Sequence, residues 1–213
     1  AVQSLQVQID TVPPSTTASP SGTTGNNGWY VSDVQVSLTA SDATSGVGAT
    51  EYRVDGGSWQ VYSGPFTVSG DGTHTVEYRS TDVAGNQEAA GSLTFRVDTT
   101  PPSTTATSTG TAGNNGWWRS DVQVDLSASD ATSGVDVTEY RVDGGAWQPY
   151  TDPFTVSGEG SHTVEYRSAD NAGNVEAVGS LSIRIDTVPP STSAAPSGNA
   201  GNAGWWTSDV QVS

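Results

Sequence analysis

The chain has 213 residues, 23 Asp plus Glu against 7 basic residues that are all arginine, and a formal net charge of −16. That balance argues against nucleic acid or anionic membrane surfaces as partners, because both are bound through clustered Lys and Arg. Cysteine is absent, which excludes a disulfide framework, and no apolar run approaches the roughly 18–20 residues of a membrane-spanning helix.

In chain order, Ser4–Asp10, SLQVQID, reads as the closing strand of a unit because it matches SLTFRVD at Ser92–Asp98. It runs into IDTVPP at Ile9–Pro14, a string that returns as VDTTPP at Val97–Pro102 and IDTVPP at Ile185–Pro190, each time 88 residues on. Trp29, Trp117 and Trp205 keep the same step, as do Trp59 and Trp147, Phe66 and Phe154, and His74 and His162. The two full copies agree at about three quarters of positions, which makes the chain a tandem array. The expected organisation is the last strand of one repeat (1–10), two whole repeats (11–98 and 99–186) and the first part of another (187–213). Neither terminal fragment could bury a core alone, so the segment is expected to belong to a longer array, with any export signal or anchor outside it. Each Pro-Pro fixes φ near −65° and holds the preceding residue extended. A short, stiff joint between like units repeats one rotation per step and predicts a rod or gentle superhelix.

After each Pro-Pro comes a Ser/Thr stretch. Ser/Thr beside Pro is the compositional setting of O-linked sugars, and Ser15, Thr16, Thr17, Ser103, Thr104 and Thr105 are the candidate positions. The competing reading is an edge strand and loop carrying nothing. No Asn-x-Ser/Thr sequon exists. The strings GNNGWY, GNNGWW and GNAGWW then present adjacent aromatics, which point to opposite faces of a strand. Trp29 and Trp117 are expected inside, leaving Tyr30, Trp118 and Trp206 outside for packing on a neighbouring unit or chain, or for stacking on carbohydrate.

The remaining runs alternate with period two. DVQVSLTAS turns Val34, Val36, Leu38 and Ala40 to one face, TEYRVDGG does so with Tyr52 and Val54, THTVEYRSTD with Val76, Tyr78 and Ser80, and SLTFRVD with Leu93, Phe95 and Val97. Gly, Asn and Asp turns separate them at Asp55-Gly56-Gly57, Gly70-Asp71-Gly72 and Ala84-Gly85-Asn86. About seven such strands per repeat predict an all-β fold, tandem immunoglobulin-like β-sandwiches joined by the Pro-Pro linkers. If Tyr52 pairs with Tyr78, Glu51 faces Arg79 and Arg53 faces Glu77 on the outer surface, with Glu139–Arg141 and Glu165–Arg167 repeating the pattern. Trp59 and Trp147 follow hairpin turns and read as strand-packing residues.

The strings EYRVDGG, GTHTVEYRSTDVAGN and DTTPP, with SDATSGV before them, resemble the OmpL-type bacterial Ig-like repeat across both complete units and both partial ones. The resemblance implies an extracellular, non-catalytic spacer module found in tandem within large secreted and cell-surface proteins. It implies no ligand. The residues agree that no catalytic site is present: there is no Cys nucleophile, no G-x-S-x-G elbow and no phosphate-cradling Gly-Lys loop, and the lone His of each unit lacks the partners of a zinc site.

One set of acids stands apart. Asp10, Asp98 and Asp186 precede the joints. Asp82 with Asn86, and Asp170 with Asn174, belong to D-x-A-G-N loops, and Asp42 and Asp130 to SDATSGV. Carboxylates, an amide and loop carbonyls are the oxygen ligands Ca²⁺ takes, and the resemblance implies the same use, since some related bacterial Ig-like repeats stiffen their joints this way. The competing reading is that these residues form Asx-turns and cap backbone amides. The function expected is a stalk, or the body of a surface filament built from identical chains. The alternatives are a glycan-binding or adhesive array, or an accessory region of a secreted carbohydrate-active enzyme.

Overall fold

Val34, Val36 and Leu38 alternate with exposed or half-exposed polar neighbours and are buried together, as a strand with one solvated face requires. A computed structural model describes residues 5–212. Its strands in the first unit are β1 (Ser15–Ser21), β2 (Trp29–Tyr30), β3 (Val34–Ser41), β4 (Val47–Val54), β5 (Gln60–Val61), β6 (Phe66–Val68), β7 (Gly72–Asp82) and β8 (Gly91–Val97). The second unit has β9 (Ser103–Thr109), β10 (Val122–Ser129), β11 (Val135–Val142), β12 (Gln148–Pro149), β13 (Phe154–Val156), β14 (Gly160–Asp170) and β15 (Gly179–Ile185). A two-residue pair, β16 (Pro196–Ser197) with β17 (Gln211–Val212), begins a third. Among the described residues no helix is long and apolar enough to cross a membrane.

In the first unit a sheet of order β1-β3-β6 faces one of order β2-β8-β7-β4-β5. The second unit repeats this as β9-β10-β13 against β12-β11-β14-β15. Each is a β-sandwich of the immunoglobulin-like kind. One core gathers Val34, Val36, Val68, Val76, Phe95 and Val97, the other Val122, Val124, Val156, Val164, Ile183 and Ile185. Tyr52 lies flat on Phe66 at 3.7 Å between ring centroids, and Tyr140 on Phe154 likewise. The hairpin after β4 turns on Asp55 and Gly56, both at positive φ (51° and 71°), with Gly57 N–H donating to the Val54 carbonyl at 2.9 Å.

Register follows the Glu-Tyr-Arg expectation. Tyr52 pairs with Tyr78, Glu51 with Arg79 and Arg53 with Glu77. The Arg53 guanidinium donates both Nε (2.7 Å) and Nη2 (2.8 Å) to Glu77. The second unit matches it, with Arg141 on Glu165 and Arg167 on Glu139. Trp59 does not pack as an ordinary strand residue. Its ring lies beneath two of these cations, 4.8 Å from Arg53 and 4.1 Å from Arg79, and Trp147 is held the same way by Arg141 and Arg167.

Three expectations are corrected. First, Tyr30 and Trp118 face inward and pack on the two cores; Trp29 is buried as expected, but beneath Arg96 and apart from the core cluster, and Trp117 is only half-buried, beneath Arg184. The cause is the parallel pairing of β2 with β8, which sets Trp29 beside outward Arg96 and Tyr30 beside inward Val97. Neither Tyr30 nor Trp118 is therefore presented for stacking on a sugar; Trp206, in the third unit, remains exposed. Second, Thr16 and Thr104 are not open hydroxyls. Thr16 lies on β1, and its hydroxyl meets the Ser80 hydroxyl at 2.7 Å and a Glu88 carboxylate oxygen. Thr104 makes the same contacts with Ser168 and Glu176. Ser15, Thr17, Ser103 and Thr105 are exposed. Third, residues 5–10 form no strand, since none of the described strands pairs with them; Ser4, where that strand was expected to begin, lies outside the described residues.

Candidate metal centre

The Asp-Thr-x-Pro-Pro string at Val97–Pro102 is bonded to what lies on both sides of it. Asp98 N–H donates to the Tyr30 carbonyl at 2.9 Å, which closes the first unit. Its side chain reaches into the second, where Oδ2 accepts from Ser133 N–H at 3.0 Å, while Oδ1 accepts from Thr100 N–H at 3.2 Å. Thr99 and Thr100 are tied back to the first unit through Asp71, whose carboxylate accepts from Thr99 N–H (2.7 Å) and the Thr100 hydroxyl (2.6 Å). These bonds lower the Asp71 pKa although burial opposes the charge. Pro102 is buried immediately before β9.

Two loops of the second unit converge on Asp98. In SDATSGV, Asp130 Oδ1 accepts from Thr132 N–H (3.1 Å) and Gly134 N–H (2.7 Å). In the D-x-A-G-N loop, Asp170 Oδ1 accepts from Gly173 and Asn174 N–H at 2.7 and 2.8 Å. Positive φ at Gly173 (101°) lets that loop turn back so tightly. Asn174 Nδ2 donates to Asp170 Oδ2 (2.8 Å) and to the Asp98 carbonyl (2.9 Å). The amide-capping reading of these residues is thus observed, and the same bonds aim three carboxylates at one point. Oxygens of Asp98, Asp130 and Asp170 all lie within 4.8 Å of one another, with Asp98 0 % and Asp170 1 % exposed.

Asp10, Asp42 and Asp82 form the same cluster one unit earlier, again within 4.8 Å. Asn86 repeats the part of Asn174, donating to Asp82 Oδ2 (2.7 Å) and the Asp10 carbonyl (3.1 Å). Asp10 accepts from Ser45 and Val12, which lowers its pKa. Asp186 is not brought into a cluster; it is exposed, and its carboxylate accepts from Val188 N–H at 3.1 Å. The acids were visible in the sequence, but which of them meet was not. Glu88 and Glu176 were missed. Each caps a buried polar bridge between the sheets, accepting from the Thr16 and Ser80 N–H groups, or from Thr104 in the second unit. Their one signal was persistence at the 88-residue step while neighbours Gln87 and Val175 differ.

Residues 13–99 match the family described as bacterial Ig-like domain. Among solved structures, the chain is similar to the fibronectin(III)-like modules of Clostridium thermocellum CbhA, at 13 % identity over 83 % of this chain and 99 % of that one, with a TM-score of 0.35. It is also similar to the D00-D0 domain of intimin, at 12 % identity over 78 % and 99 %, with a TM-score of 0.36. No curated protein matches. The stretch from 13 to 99 matches the bacterial Ig-like domain family, and the unit after it repeats most of its residues, its strand order apart from the short β2, and its acid cluster.

Proposed function

We propose that the chain is a non-catalytic structural segment of a bacterial extracellular or cell-surface protein, a row of Ig-like units serving as a stalk or as the body of a surface filament, with joints stiffened by calcium. The observation that carries this reading is the convergence of Asp98 with Asp130 and Asp170. At that separation two like charges repel by about 3 kcal/mol even at an effective dielectric constant near 20. None of the ion pairs among the described residues involves these aspartates. A divalent cation turns their repulsion into shared attraction. Since the Asp98 backbone belongs to one unit and the other two ligands to the next, the ion holds the angle between them. The donors are all oxygen, which suits hard Ca²⁺ and not zinc, whose sites favour nitrogen and sulfur.

Calorimetry of the 213-residue chain in millimolar calcium and in EGTA tests the cation. A higher Tm in calcium is expected, and Asp130→Asn should remove most of the difference. Identical melting in both media rejects calcium. Electron microscopy of the native full-length material tests the mechanical role. Beaded rods ending in a distinct globule identify a stalk, ordered multi-chain fibrils identify a filament, and compact particles without rods reject both.

A further inference from the structure

The first unit touches the second through more than its linker. Asn26 N–H donates to the Ala172 carbonyl at 2.7 Å, and Asn27 Nδ2 donates to the Asn171 carbonyl at 2.9 Å. The approach is close enough that a Cβ on Gly25 would stand 2.2 Å from the Ala172 oxygen, and one on Gly173 3.0 Å from the Asn26 amide. The Gly-Asn-Asn-Gly turn of one unit thus seats on the D-x-A-G-N loop of the next. Beneath the turn, Arg96 donates to the Asn27 carbonyl and covers Trp29.

The repeat supplies its own control. Ala172 is 0 % exposed, whereas Ala84, the same position one unit earlier, is exposed. Trp29 is buried, whereas Trp117 is only half-buried. Asn114 N–H has no counterpart of the Asn26 bond among the described residues. A cleft of about 640 Å³ opens beside the unoccupied turn, lined by Asn114, Asn115, Trp117, Arg119, Asp186 and Pro190. A second, of about 610 Å³, opens beside the unoccupied loop, lined by Ile9, Asp10, Ser45, Val83 and Ala84. These two surfaces are the halves of the contact that is closed at the internal joint.

We propose that the Gly113–Gly116 turn, with the cleft beside it, is a docking surface for the D-x-A-G-N loop of a further copy of this unit, and that Val83–Gly85 receives the Gly-Asn-Asn-Gly turn of another. The partner is another copy because the internal joint already pairs these two sequences. The surfaces differ from one another, so the contact is heterologous and extends without closing. The inference rests on the tandem reading above and not on the cation.

Amide hydrogen exchange measured by NMR tests it, in calcium and again in EGTA. In the 213-residue chain Asn26 should exchange at least about tenfold more slowly than Asn114. Lengthening the chain after Ser213 with a second copy of residues 126–186, which completes the third unit, should bring Asn114 to the protection of Asn26. Equal exchange at Asn26 and Asn114 in the original chain, or an unprotected Asn114 in the longer one, overturns the proposal. Gly25→Ala sets a methyl against the Ala172 carbonyl and should abolish Asn26 protection while β7 and β14 amides keep theirs. Should that variant also lose β7 protection, Asn27→Ala decides, because it removes the side-chain bond to Asn171 and alanine already holds the same left-handed position at Ala203 (φ 54°): a loss of Asn26 protection supports docking, and unchanged exchange refutes it. Protection that persists in EGTA supports docking even if calcium has no effect on Tm.

Discussion

Asn174 donates from one nitrogen to both the Asp98 carbonyl (2.9 Å) and the Asp170 carboxylate (2.8 Å), so a single amide fastens the linker to the unit it enters. Asn174→Ala removes both bonds and leaves a buried carboxylate short of a donor, which should destabilise the second unit by about 1–3 kcal/mol in urea unfolding. Asn174→Asp adds a further negative charge to the cluster. If a cation belongs there, the loss in EGTA should exceed the loss in millimolar calcium; equal losses would count against the ion.

Trp59 is held between Arg53 and Arg79, whose charges are matched by Glu77 and Glu51. Two partly exposed cation–π contacts of roughly 0.5–1 kcal/mol each set the scale. Trp59→Ala should therefore cost about 1–2 kcal/mol, and Trp59→Phe about half as much, with the core chemical shifts of Val36 and Val76 unmoved. A shift in those core signals would show that Trp59 supports the interior instead.

His74 and His162 make the stability of the array sensitive to pH. His74 places Nδ1 2.9 Å from Asp55 and Nε2 2.9 Å from the Gly70 carbonyl, so only the imidazolium satisfies both acceptors. Burial opposes the charge on His74, but the Asp55 carboxylate and the Gly70 carbonyl outweigh it and raise the pKa above 6.5. For His162 the Asp143 bond is the main cause of the rise, followed by the Gly158 carbonyl. A pKa raised on folding contributes stability that is complete below the unfolded value and is lost as pH climbs through the folded one. The partner carboxylates are lowered: Asp55 against the effect of burial, through His74 and Thr75, and Asp143 mainly through His162. Their contribution is present above the unfolded value of 3.8 and lost as pH falls through the folded one. Tm should decline from pH 6 to pH 9, and the double variant His74→Gln, His162→Gln should flatten that decline. An unchanged slope would reject the assignment.

Ser80 is 1 % exposed, and its hydroxyl lies 2.7 Å from that of Thr16 and 2.8 Å from that of Thr50, joining the two sheets. Ser80→Ala should cost about 1–3 kcal/mol, the penalty for stranding buried polar partners. Ser168→Ala should do the same in the second unit, and the two losses should add because the sites are remote from one another. A neutral Ser80→Ala would mean that the bridge contributes no net stability.

The parts of this architecture legible in the sequence are those fixed by local period and by pairing arithmetic. Alternation marks Val34, Val36 and Leu38 as one face, and the doubled Glu-Tyr-Arg string sets the register of Glu51 against Arg79. Alternation alone cannot say which member of Trp29-Tyr30 turns inward, because that depends on the distant strand carrying Arg96 and Val97. The acids of the cluster could be picked out one by one from their loops. That Asp98 meets Asp130 and Asp170 follows only once the strands between them are folded. The Glu88 cap and the Arg–Trp–Arg stack were hidden for the same reason: each is completed by a residue on another strand, Thr16 for the cap and Arg79 for the stack, and neither leaves a short motif.

The parallel pairing of β2 with β8 also bears on how the chain would respond to a pull along its length. In a stretched chain tension would pass β1, which pairs with β3 in the other sheet, before it reaches β2, and would leave through β8. Where β2 and β8 run parallel and adjacent, a pull slides one along the other instead of peeling them apart. The bonds from Asp98 N–H to the Tyr30 carbonyl (2.9 Å) and from Asp186 N–H to the Trp118 carbonyl (2.9 Å) lie across that sliding direction. Under such a pull they would be loaded together with their neighbours, which predicts that each unit yields in one abrupt step in single-molecule stretching.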